Sequence, residues 1–226
     1  MKLPMSGATR HSTSVWPCLI GVGLYGRYVL PRIVHLTCGT KPVMRQRQKL
    51  VPLAKGRVLE VGIGSGLNLP FYDRVSVEKV WGLDPSRELT ELATNATDEV
   101  PFEVEFVAAG AEEIPLDSNC FDTVVLTYTL CTIPHTEPAL REIARVLKPS
   151  GELLFCEHGA APDASVRRWQ DRLDPLWRRI GGGCRLNREI PSLIRHGGFE
   201  ITRLETMYIP GWRPASFNYW GSATAR

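Results

Sequence analysis

The chain has 226 residues, 43% of them hydrophobic, which suits one domain of ordinary size with a substantial core. Its formal charge of +3, with Lys and Arg interleaved among Asp and Glu over most of the chain, is too slight to make a case for nucleic acid as a partner. The six cysteines form no C-x-x-C pair and lie far apart, which argues against a zinc ribbon or a secreted disulfide scaffold. Their spacing names no metal ligands, and reduced thiols in a cytoplasmic protein fit it best.

In chain order, residues 1–14 read as a disordered tail and residues 15–55 as an N-terminal helical lid, with a helix around 24–36 covering the domain. Residues 15–26 carry no charge, but twelve residues are too few to span a bilayer. Pro17 weakens this stretch as a helix, and no small-residue cleavage site follows it, so it does not read as a signal peptide. Trp16, Tyr25 and Tyr28 leave open a peripheral contact with a membrane surface, as the alternative to plain packing on the domain.

From residue 56 to 226 strand-like runs alternate with helical patterns, the order of a parallel sheet covered by helices on both faces. Short apolar, β-branched runs at 57–61, 79–83, 103–107, 122–127 and 152–156 predict five buried strands. Ser86 is placed to cap a helix through Glu88, Leu89 and Leu92; Thr136 is placed to cap another, carrying Leu140, Ile143 and Leu147 and ended by Pro149 and Gly151. Val166, Trp169 and Leu173 predict an apolar helical stripe with arginines on its solvated face. Asp174 before Pro175 has the pattern of a fresh N-cap. Runs at 199–208 and 217–225, around Pro210 and Gly211, read as two final strands.

The stretch LEVGIGSGLN at 59–68 places Gly62, Gly64 and Gly66 in the turn after the first strand, at the sheet edge where open α/β folds bind ligands. Glycine there permits positive φ and lets a ligand approach the backbone. Asp84 ends the second strand, eighteen residues past Gly66, where a carboxylate can accept both hydroxyls of an adenosine ribose. A nicotinamide fingerprint wants glycine where Leu67 stands, and Glu60 would repel a pyrophosphate while attracting a cationic amino-acid moiety. Adenosine joined to a cationic amino acid is S-adenosylmethionine.

At these residues the chain resembles the class I S-adenosylmethionine-dependent methyltransferases: EVGIGSG at 60–66, Asp84, AEEIPLDSNCFDTVV at 111–125 and REIARVLKPSGELLF at 141–155. TLCTIP at 129–134, EHGA at 157–160, LDPLW at 173–177 and IGGGCRLNRE at 180–189 are similar to the branch that holds the thiol methyltransferases. The resemblance implies a Rossmann-like α/β fold: a seven-stranded, mostly parallel sheet with helices on both faces and a C-terminal antiparallel hairpin. It also implies S-adenosylmethionine as cofactor and a small-molecule methyl acceptor. It puts Gly62, Ile63 and Gly64 against the methionine part, Asp84 on the ribose, Pro85 beside the adenine, and Ala111 and Glu112 at the adenine edge. Where the family often has an acidic residue before that alanine, this chain has Gly110. Thr127 and Tyr128 would face the methyl-transfer axis. Asn68 either fixes the glycine turn through an Asx bond or reaches the cofactor.

Methyl transfer from a sulfonium asks the protein mainly for orientation and desolvation, and a thiol acceptor reacts as its thiolate. Arg185, beyond Gly181, Gly182 and Gly183, is the arginine singled out to favour that ionisation, and His158 at the ligand-binding edge could orient or deprotonate an acceptor. His158 and Glu157 could equally hold a cap, Cys131 reads first as a buried structural thiol, and Trp212 and Trp220 as core residues. The same cofactor motifs also serve carbon and oxygen methylation of quinone-like or lipid substrates. A cofactor-binding interaction protein without turnover is the reading from another class.

Overall fold

The computed structural model describes residues 23–226. The expected tail at 1–14 and the part of the lid before residue 23, Trp16 included, lie outside them. The chain forms a seven-stranded sheet in the order β3-β2-β1-β4-β5-β7-β6. β1 (Gly56–Val61), β2 (Val77–Leu83), β3 (Glu103–Val107), β4 (Phe121–Thr127) and β5 (Leu147–His158) run parallel. β7 (Phe217–Ala225) lies antiparallel between β5 and β6 (Phe199–Tyr208). The strand order reverses between β1 and β4, and that switch point opens a crevice at the carboxyl ends of both strands.

Alternation along the strands sorts the core into two layers. Leu59, Val61, Leu83, Leu126 and Phe155 face the layer closed by α4 (Thr136–Val146) and α6 (Ile190–His196), through Leu140, Ile143, Ile190 and Ile194. Val58, Val80, Val125, Leu154 and Cys156 face the other layer, filled by Leu50 of α2 (Lys41–Leu50) together with Val51, Leu69 and Tyr72. The N-terminal helix comes as a π-helical turn, Tyr25–Val29, that runs into α1 (Leu30–Cys38).

Three local expectations are corrected. Thr136 is the first residue of α4 and makes no cap bond; the N-cap is His135, and Leu147, expected on that helix, already opens β5. Ser86 does cap α3 (Arg87–Thr97), its Oγ accepting from Leu89 N at 3.3 Å. Asp174 starts no helix. α5 runs unbroken over Ala164–Ile180 with exposed Pro175 inside it, and the buried Asp174 carboxylate accepts from Leu186 N at 2.9 Å. The expected stripe also differs, since Trp169 is exposed while Gln170 is buried, accepting from Ala161 N and donating to the carbonyls of Gly159 and Pro214. α5 thus docks through polar anchors that supply the bonds of irregular backbone, a requirement that apolar periodicity does not register.

Candidate active site

β1 delivers the chain into the glycine turn with Gly62 at φ 74° and Gly64 at φ 55°. A Cβ on Gly62 would stand 2.3 Å from the Thr129 side chain, whereas one on Gly64 would meet only the Gly62 carbonyl, at 3.9 Å. Gly62 is therefore fixed both by its conformation and by the close approach of the turn after β4, while Gly64 faces open space. Asp84 ties this turn to the start of α3: its Oδ2 accepts from Gly64 N at 3.0 Å and its Oδ1 from Ser86 N at 2.8 Å. Burial raises the Asp84 pKa, and those two amides oppose the rise.

The turn borders a cavity of about 1180 Å³. Gly62, Ile63, Gly64, Asp84 and Pro85 line one wall; Gly110, Ala111 and Glu112, from the loop after β3, line the next. Thr127 and Tyr128 close it at the end of β4, and Leu30, Pro31, Val34 and Cys38 of α1 cover it. Glu60, Gly66 and Asn68 do not reach this surface. Gly66 packs against α3, where an added Cβ would stand 3.2 Å from Ala93 Cβ.

Behind the wall lies a buried polar chain. Glu60 accepts from Tyr72 Oη at 2.8 Å and from Asn68 Nδ2 at 2.9 Å. Asn68 also donates to Thr127 Oγ1 at 2.9 Å and accepts from Arg47 Nη1 at 2.8 Å, so it makes neither the Asx bond nor a cavity contact. Burial pushes the Glu60 carboxyl up to about 7, against the lowering effects of Tyr72, Arg47 and Asn68. Arg47 is the residue that sequence reasoning missed. It lines the cavity from α2, donates to Thr127 Oγ1 at 2.6 Å, and sets its guanidinium 5.2 Å from the Tyr128 ring centroid. Its buried Nε has no partner. Nothing in the local pattern of α2 distinguishes this arginine from its basic neighbours, because the packing that turns it inward is tertiary.

Tyr128 sits at φ 54°, a region a bulky side chain seldom adopts, and it donates through Oη to Asn218 Oδ1 at 2.7 Å. Its ring lies parallel to that of His158, centroids 6.5 Å apart. His158 and Arg185 do not line the cavity. His158 Nε2 is 3.1 Å from Cys184 Sγ, and Arg185 N donates to the Cys131 carbonyl at 3.1 Å. Glu157 holds the turn after β4, its Oε1 accepting from Thr129 N at 2.8 Å and Leu130 N at 2.9 Å. Arg188 holds the same turn from the other side, donating to the carbonyls of Leu130 and Ile133. Trp220 is buried in the core, and Trp212 is half-exposed against Trp177.

A glycine turn after β1, a carboxylate at the end of β2 and a crevice at the β1/β4 switch point on this sheet order define a class I S-adenosylmethionine-dependent methyltransferase. Residues 59–155 match the methyltransferase domain family. The chain belongs to the methyltransferase family of the thiol S-methyltransferases TMT1A and TMT1B. It is 34% identical to human TMT1A over 176 residues, covering 74% of this chain and 71% of that protein. It is 35% identical to rat TMT1B over 166 residues, covering 72% of this chain and 65% of the relative's length. The crystal structure of an S-adenosylmethionine-dependent methyltransferase from Methanosarcina mazei shares the fold, with a TM-score of 0.61 at 20% identity over 82% of this chain and 98% of that one.

Proposed function

We propose that the chain transfers the methyl group of S-adenosylmethionine to a small thiol. The observation that carries this reading is the single cavity in which the glycine turn, Asp84 and the 110–112 loop face an apolar end closed by α1. Asp84 receives the ribose hydroxyls, Pro85 and Ala111 flank the adenine, and Glu112 meets its edge. Gly62, Ile63 and Gly64 lie along the methionine part. Glu60, Gly66 and Asn68 shape that wall from behind, and Thr127 orients Arg47. Arg47, a buried cation facing the cavity with Nε unpaired, binds the methionine carboxylate.

The apolar end, with Leu30, Val34 and Ile133, takes the acceptor and excludes water. The acceptor thiolate attacks the methyl carbon in line, and the sulfonium carbon–sulfur bond breaks with its electron pair left on sulfur. The products are a methyl thioether and S-adenosylhomocysteine, and the thiol proton passes to solvent. The names of the TMT1 relatives support a thiol as acceptor.

The N-terminal segment exposes Leu24 and Leu36, at 78% and 69%, which supports a peripheral contact with a lipid surface. No helix among the described residues is long and apolar enough to cross a membrane.

A panel of alkyl and aryl thiols beside hydroquinones, phenols and amines, read by mass detection of the methylated product, tests the acceptor class. Thioether formation matched by S-adenosylhomocysteine is expected. Oxygen or carbon methylation without thiol turnover overturns the thiol assignment.

A further inference from the structure

Three segments distant in sequence converge just behind the cavity floor. Cys131 comes from the turn after β4, His158 from the end of β5 and Cys184 from the loop between α5 and α6. Their sulfur and ring-nitrogen atoms all lie within 4.8 Å of one another. Each adjoins the cavity: Thr132 follows Cys131, Gly182 lies two residues before Cys184, and the Tyr128 ring covers His158. Cys131 is 2% exposed and His158 9%, while Cys184 is half-buried.

We propose that Cys131 Sγ, His158 Nε2 and Cys184 Sγ bind one zinc ion, with solvent in the fourth position. Two thiolates and a neutral imidazole cancel the charge of a divalent zinc, so the filled site is neutral where a bare charge could not be buried. Ligand atoms at zinc distances around a tetrahedral centre stand about 3.5–3.8 Å apart. The Nε2–Sγ separation of 3.1 Å therefore opens by only a few tenths on metal entry. Trp177 Nε1 already donates to Cys184 Sγ at 3.4 Å, the outer hydrogen bond that settles a metal-bound thiolate. On binding, thiol protons are released to solvent and no electron is transferred. The ion pins together the turn after β4, the end of β5 and the glycine segment at 181–183. These three pieces of backbone shape the acceptor end, so the metal is a staple of the floor and not a reactant.

The test is titration of the reduced, metal-free full chain with cobalt(II), followed by zinc(II). One equivalent of cobalt is expected, with visible bands of a tetrahedral centre and near-ultraviolet thiolate-to-metal absorption that zinc then abolishes. Cys184→Ser should halve the near-ultraviolet absorption, His158→Ala should weaken cobalt binding at least tenfold, and Cys120→Ser, outside the site, should leave both unchanged. X-ray absorption of the zinc-loaded wild-type chain should read two sulfur neighbours, a measurement that needs no variant to fold. Substoichiometric uptake of both metals, a zinc shell of oxygen and nitrogen alone, or cobalt spectra unmoved by Cys184→Ser would overturn the site. No readout uses a methyl acceptor, so these results stand whichever substrate the chain methylates.

Discussion

At Gly110 an added Cβ would stand 3.0 Å from Glu112 Oε2, so the Glu112 carboxylate occupies the space a side chain at 110 would enter. On the proposed reading, Glu112 replaces from two residues further on the acidic group missing from its usual position. Glu112→Ala should therefore weaken cofactor binding about tenfold, the scale of one hydrogen bond to a charged group. Gly110→Asp alone should also weaken it by crowding two carboxylates, whereas the double variant should recover most of the affinity. Calorimetry decides, and a double variant no better than Glu112→Ala removes Glu112 from the adenine edge.

Asp84→Ala should cost about 2–4 kcal/mol of affinity for S-adenosylmethionine and S-adenosylhomocysteine, since both ribose bonds go. Unchanged affinity in a folded variant would refute that placement.

Glu60 makes a pH prediction. Its charged neighbours are Arg47 and Asp84, and its folded pKa near 7 lies above the ordinary carboxyl value. The native state therefore holds this proton more tightly than the unfolded chain. The contribution to stability is complete below the ordinary carboxyl range and falls as pH rises toward 7, by about 3 kcal/mol in all. Glu60→Gln removes the titrating group, so its stability relative to wild type should rise from pH 4.5 to pH 7.5 in urea melts. A constant difference would mean that the Glu60 pKa is the same in the folded and unfolded chain.

At the scale of elements, the strands and the glycine turn were legible because each is encoded locally, by apolar runs and by residues that tolerate positive φ. α2 falls within the helical segment expected over 15–55, but that it brings Arg47 to the cavity was not legible. The unbroken course of α5 was hidden as well, because Asp174–Pro175 has the local pattern of a helix start and only the Leu186 amide shows where that carboxylate is used. The cavity residues after β1, β2 and β3 were readable from motifs. The meeting of Cys131, His158 and Cys184 was not, since sequence spacing does not reveal proximity across three loops.

α1 covers the cavity but supplies little of the core, with Pro31 its one buried residue. A chain beginning at Thr40 should fold, keep Arg47 and lose at least tenfold in cofactor affinity. If affinity and turnover stay at wild-type levels, α1 is not a lid. A start at Lys55 cannot answer the question, because it also strips Leu50, Val51 and Ala54 from the core.

At the scale of the whole molecule, the same covering segment faces both the cavity and, through Leu24 and Leu36, the outside. Leu24→Glu with Leu36→Glu should reduce co-sedimentation with vesicles of anionic phospholipid while leaving cofactor affinity unchanged. Equal partitioning of variant and wild type would exclude these residues from lipid contact.

The position of β7 between β5 and β6 also imposes an order on synthesis. When the ribosome has made β6, its partner does not yet exist, and β5 presents Leu153 to Cys156 along an unpaired edge. For the time needed to emit residues 217–225 the nascent chain carries an open, apolar template for pairing with another copy. A chain stalled after Pro210 should therefore associate with its neighbours on polysomes and recruit holdase chaperones, and release from that state should coincide with emergence of β7.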